Sequence, residues 1–129
     1  MGEFAIGQGV SRFENPQLLQ GGGRYVEDIK LPGMVHGVVL RSQHAHAKIR
    51  SLDVAAAKAA PGVLAVLTAA DIKAAGWGDL PIPGGLKRRD GSPMIKTRYP
   101  ILAEDRTRWI GDPVAFVVAE SVAQALDAA

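Results

Sequence analysis

A chain of 129 residues is one domain's worth of sequence, and the absence of cysteine excludes disulfides, thiolate catalysis and cysteine-bound iron–sulfur or zinc within it. Fifteen Lys and Arg against thirteen Asp and Glu leave a net charge of +2, and aromatics are 5%, too balanced and too poor in stacking rings for a nucleic-acid surface. A hydrophobic content of 47% excludes disorder throughout, and the longest apolar run is far below the ~18 residues of a membrane span.

Residues 1–20 read as an extended N-terminal arm, and with Glu3 and no basic stretch near Met1 no signal peptide is expected. Ile6-Gly7-Gln8-Gly9 has the opening of a dinucleotide fingerprint, but Arg12 stands where the third glycine belongs and no strand precedes it. Asn15-Pro16 favours a turn, because proline biases the preceding residue away from helix. Gly21-Gly22-Gly23 is a turn and not a phosphate cradle, since no Gly-Lys-Ser/Thr follows. Arg24-Tyr25-Val26 starts an extended segment that Glu27-Asp28 interrupts. Leu31-Pro32-Gly33-Met34 reads as a tight turn with φ preset at Pro32 and positive at Gly33. Residues 36–42 are apolar and β-branched in the middle, which predicts a strand.

A second short strand is expected over residues 49–53, with Asp53 capping an alanine-rich helix over 54–60 that Pro61-Gly62 stops. Residues 63–67 read as a buried strand. Thr68 and Asp71 have the spacing of a capping box for a helix reaching Ala75, with Gly76 just past its end. Two strand-then-helix units in succession predict an α+β domain, a small mixed sheet with short helices, over residues 21–129. Residues 77–100 carry four prolines, four glycines and the basic run Lys87-Arg88-Arg89. So long an irregular stretch is either a solvated excursion, the reading preferred, or an interface loop or basic patch near an anionic cofactor. Strands are expected at 100–103 and 107–110, a turn at Gly111-Asp112-Pro113, and the strongest buried strand at 114–119. Ser121 with Gln124 caps a helix from Val122, and its reaching Ala129 without a C-cap gives the expectation of a fragment of a longer protein.

No catalytic constellation emerges. His44 and His46 are spaced i, i+2 and in an extended segment would share a face as a metal pair, but a site needs further ligands, and His36 would have to fold back. A structural pair is preferred. Glu27-Asp28 and Glu104-Asp105 are neighbours whose side chains diverge in a strand, and they read as turn and surface charges. The expected catalytic, cofactor-binding and metal-binding residues are therefore none.

Several pieces nevertheless share one order. Gly23-Arg24-Tyr25-Val26-Glu27-Asp28-Ile29, Leu31-Pro32-Gly33-Met34, Leu40-Arg41-Ser42, His44-Ala45-His46-Ala47-Lys48-Ile49, Ala60-Pro61-Gly62-Val63, Val66-Leu67-Thr68-Ala69-Ala70-Asp71, Ile110-Gly111-Asp112-Pro113-Val114-Ala115 and Val117-Val118-Ala119-Glu120-Ser121 together resemble the start of the molybdenum-binding large subunit of the xanthine dehydrogenase and aldehyde oxidase family, nearest its aerobic carbon monoxide dehydrogenase type. Gln43 stands where that family usually has proline. The resemblance implies an α/β hammerhead domain that is itself non-catalytic. It implies a cytoplasmic parent oxidoreductase acting on carbon monoxide, an aldehyde or an N-heterocycle. That parent would use molybdopterin, in its cytosine dinucleotide form, with [2Fe–2S] and FAD on partner domains or subunits. The implied partners are the remaining domains of the large subunit, an iron–sulfur small subunit and an FAD medium subunit. Two readings from other classes stand beside it: a free-standing interaction module, and a biotinyl- or lipoyl-like carrier using Lys96 beside Met94.

Overall fold

A computed structural model describes Gly7, Gly9 and residues 11–129. The dinucleotide-like start at Ile6-Gly7-Gln8-Gly9 lies largely outside the described residues. The chain divides into two units, up to Met34 and from Val35 to Ala129.

In the first unit, Asn15–Leu19 is a short helix, α1, where an extended arm was expected. Pro16 sits in its first turn, where an amide would have no intrahelical partner, so the proline is tolerated there. Glu27-Asp28 interrupts the extended segment as expected, within a single 3₁₀ turn over Val26–Asp28; the Asp28 carboxylate accepts the Tyr25 amide at 2.9 Å and folds the chain back. The turn at Leu31-Pro32-Gly33-Met34 forms as expected: the Met34 amide donates to Leu31 O at 3.1 Å and Gly33 has φ +73°.

The second unit is built on three antiparallel strands, β1 (His36–Arg41), β3 (Val63–Leu67) and β5 (Pro113–Ala119), in the order β1-β5-β3. The strand with the densest apolar run, β5, is central. Registers Val38↔Val117 and Val66↔Val117 set three valines in a row across the sheet. That row, with Ala119 and Val63, faces two helices, α2 (Ala55–Ala59) and α4 (Val122–Ala128). Val66, Val117, Ala119 and Ala125 are the buried core, with Val38, Val54 and Ala57 packed on it. Small residues on β5 and α4 let helix and sheet approach closely, so the core is thin and made of alanine and valine.

The caps hold largely as read. The Asp71 carboxylate accepts from the Thr68 amide at 2.7 Å and from its hydroxyl at 2.6 Å, closing the capping box of α3 (Ala69–Ala74). The Gly76 amide donates to Lys73 O and the Trp77 amide to Ile72 O, with Gly76 at φ +74°, which is a Schellman end. Asp53 acts one residue further out than expected, accepting from the Ala55 amide at 2.9 Å. At α4 the Gln124 amide donates to Ser121 Oγ at 3.3 Å, while the Ser121 hydroxyl donates to Gln124 Oε1 at 2.8 Å, so half of the expected box forms.

Two strand expectations are corrected. Residues 49–53 form no strand of their own; the strand is β2, Ala47–Lys48, two residues earlier. Residues 100–103 and 107–110 give only β4, Arg106–Thr107, which pairs antiparallel with β2. Leu102 and Ala103 are nonetheless buried, tied down by the Ala103 amide donating to Pro113 O at 2.7 Å. Apolar content thus reported burial and not pairing, which needs a partner edge within reach.

Candidate functional site

His44 and His46 lie in a bent segment between β1 and β2, both exposed, so the same-face argument for an extended pair does not apply. His36 is in β1, paired with Ala119. Among the described residues no group of three or more His, Asp or Glu is placed to hold a metal ion. Glu104 and Asp105 turn to different arginines: Glu104 to Arg98 at 2.8 Å, Asp105 to Arg106 at 2.9 Å. Lys96, the carrier candidate, is in irregular chain and not at a hairpin between strands, with its side chain against Gly84.

Two of the concave regions in the second unit bring charged side chains together. The first, of about 360 Å³, is a cleft beyond the C-terminal end of α3. Arg98 dominates it. Its Nε and Nη2 donate to the two Asp79 oxygens at 2.8 and 2.9 Å, and Nη1 and Nη2 donate to Glu104 at 3.1 and 2.8 Å. The hydrogen bonds from Arg98 hold both carboxylates below their ordinary pKa, and the two carboxylates hold the guanidinium above its own. An arginine saturated by two carboxylates closes the base of the 77–100 stretch, helped by the Leu80 amide donating to Tyr99 O at 2.7 Å. It is a structural clamp, and its flanking acids would repel a phosphate. Nothing in the local sequence announces it, because the partners lie 19 and 6 residues away.

The second region is an open groove of about 500 Å³ beside β2. Arg41, His44, Lys48 and Arg50 line it over an apolar floor that includes Leu40 and Ile49, and no acid lines it. Thr107 also lines it, 4% exposed, with a buried hydroxyl that has no hydrogen-bond partner among the described residues. The Arg41 guanidinium is partly engaged, Nη1 donating to Gly111 O at 3.0 Å. Sequence reading passed over these cations because they are scattered singly along 41–50.

The first cleft does not fit the phosphate of a molybdopterin, because its Arg98 is already matched by Asp79 and Glu104.

Residues 20–129 match the family described as aldehyde oxidase and xanthine dehydrogenase, a/b hammerhead domain. Over 117 residues the chain is 43% identical to the carbon monoxide dehydrogenase large chain of Afipia carboxidovorans, covering 91% of this chain and 13% of that one. It is 42% identical to the nicotine 6-hydroxylase large subunit of Paenarthrobacter nicotinovorans, over 95% of this chain and 14% of that one. The solved quinoline 2-oxidoreductase of Pseudomonas putida 86 superposes with a TM-score of 0.71 at 42% identity, covering 98% of this chain and 15% of that one. The chain therefore spans about one seventh of the length of such relatives.

Proposed function

The chain belongs to the aldehyde oxidase and xanthine dehydrogenase family as its a/b hammerhead domain, and from that premise we propose that it is the structural N-terminal domain of a molybdenum hydroxylase large subunit. In this reading residues 21–129 are the hammerhead and 1–20 an arm leading into it. The parent oxidises carbon monoxide, an aldehyde or an N-heterocycle in the cytoplasm. It carries molybdopterin as the cytosine dinucleotide, and passes electrons through [2Fe–2S] centres to FAD on partner domains or subunits. None of the residues here is catalytic or binds cofactor or metal; their work is to present a stiff sheet-and-helix wedge to the rest of the subunit. No helix among the described residues is long and apolar enough to cross a membrane, which is compatible with this setting.

The observation that carries the reading is the continuous family match over residues 20–129, which takes in both sheets, helices α2 to α4 and the irregular 77–100 stretch. The large exposed side chains fit it too: Trp77, Leu64, Leu86 and Ile95 are each more than half exposed, apolar surface that a neighbouring domain would cover. The test is purification of the native gene product carrying this sequence, with metal analysis, a flavin and iron–sulfur absorption spectrum, and dye reduction with carbon monoxide, aldehydes and N-heterocycles. Molybdenum, iron and flavin in one complex that reduces the dye with one of these substrates supports the reading. A product with none of the three overturns it.

A further inference from the structure

The groove beside β2 has a charge pattern and an open backbone that together specify an occupant. Along residues 47–50 exposure alternates, with Ala47 and Ile49 half-buried and Lys48 and Arg50 exposed. The two cations thus project at every second position, the repeat of an extended chain. No ion pair engages Lys48 or Arg50 among the described residues. Elsewhere on the same unit Arg98 is matched to Asp79 and Glu104, and Arg106 to Asp105, whereas every charged side chain that lines the groove is a cation. Its cations, joined by Arg41 and His44, face no acid across it.

The backbone repeats the message. The Ile49 amide donates to Asp105 O at 2.9 Å, the last bond of the β2–β4 ladder. Beyond it, no backbone hydrogen bond among the described residues uses the amide or carbonyl of Arg50, Ser51 or Leu52. A run of free donors and acceptors next to a short ladder is a template for a further strand.

We propose that this groove takes an extended acidic segment of a protein partner, one in which carboxylates alternate with apolar side chains. The carboxylates meet Lys48 and Arg50, the apolar residues rest on Leu40 and Ile49, and the backbone adds to the free run at 50–52. Attraction between facing charges sets the register, and the backbone bonds are indifferent to sequence. The inference deepens the proposed function, which supplies the source of the segment, the remainder of the enzyme.

The test is a titration of the ¹⁵N-labelled chain with a capped peptide of alternating glutamate and leucine, followed by amide shifts. The lysine–leucine counterpart and benzoate serve as comparators. Saturable shifts concentrated at residues 48–52, weakened by added salt, are expected. Lys48→Glu with Arg50→Glu should weaken binding about tenfold, and the neutral pair Lys48→Gln with Arg50→Gln by a smaller factor. Both side chains are exposed, and the melting curve of each variant checks that it folds. Equal binding of the lysine–leucine peptide, shifts elsewhere on the chain, or benzoate matching the glutamate peptide would each overturn the proposal. Such a failure leaves the molybdenum and flavin content of the native complex, and so the proposed function, untouched.

Discussion

The ring of Phe116 lies over Gly37, filling the space that a β-carbon on that residue would occupy. Gly37 is in β1 and pairs with Val118; Phe116 is two residues along β5 on the same face. The absence of a side chain at Gly37 is what lets the aromatic lie flat on the sheet, on the side away from the valine row.

Gly37→Val should therefore cost about 1–3 kcal/mol, because the ring must leave its position or the strands must part. Urea denaturation measures it. In a Phe116→Leu background the same substitution should cost less, since the shorter side chain vacates the contested space. Equal costs in both backgrounds would show that the ring and the glycine are uncoupled.

The buried Thr107 hydroxyl without a partner yields a prediction of the opposite sign. Thr107→Val keeps the shape and removes an unsatisfied polar group, so it should stabilise the chain by about 1 kcal/mol. A rise in the urea midpoint at unchanged slope is the expected result. A fall would mean that the hydroxyl is satisfied in solution.

The Arg98 clamp makes a prediction about acid. Asp79 and Glu104 titrate below their ordinary values, chiefly through the hydrogen bonds from Arg98. A carboxylate with a depressed folded pKa adds stability above its unfolded pKa of about 4, and loses that contribution as pH falls through the folded value. Stability should thus decline as pH drops below about 5, and Arg98→Gln should lose less on acidification than the unaltered chain does. Both groups are open to solvent, so the difference will shrink in high salt. Identical acid slopes for the two proteins would remove the clamp from the account.

Much of the fold was legible where the signal is local. The strands β1, β3 and β5, the Thr68–Asp71 cap, the glycine ending α3 and the turn at Gly33 follow from residues within a few positions of one another. What was illegible depends on distant partners. Ala47–Lys48 is a strand because Arg106–Thr107 comes alongside, and past the Ile49 amide residues 50–52 meet no edge. Leu102 and Ala103 look like strand and are buried coil. The helix at Asn15–Leu19 was misread because the bias of proline against helix was applied in the first turn, where it does not act. The candidate groove was invisible for the same nonlocal reason: its cations are ordinary surface residues until folding gathers them along one groove that no acid lines.

Among the described residues, the tip of the 77–100 stretch is held only by hydrogen bonds within residues 86–94. An isolated bridge joins Lys87 to Pro93, and the Arg88 amide donates to Ser92 O at 2.8 Å. Lys87, Arg88 and Arg89 are all exposed. Within Val35–Ala129, limited trypsin digestion should cut first after one of these three. First cuts at Arg41 or Lys48, inside strands, would contradict the picture of an anchored base and a loose tip.

In the function proposed above, this domain frames a molybdenum enzyme without holding its metal. The most direct measurement is the molybdenum content of the 129-residue chain, expressed alone in a molybdenum-replete host and purified. No more than background metal is expected in a chain that melts cooperatively. Stoichiometric molybdenum on the folded chain would contradict it.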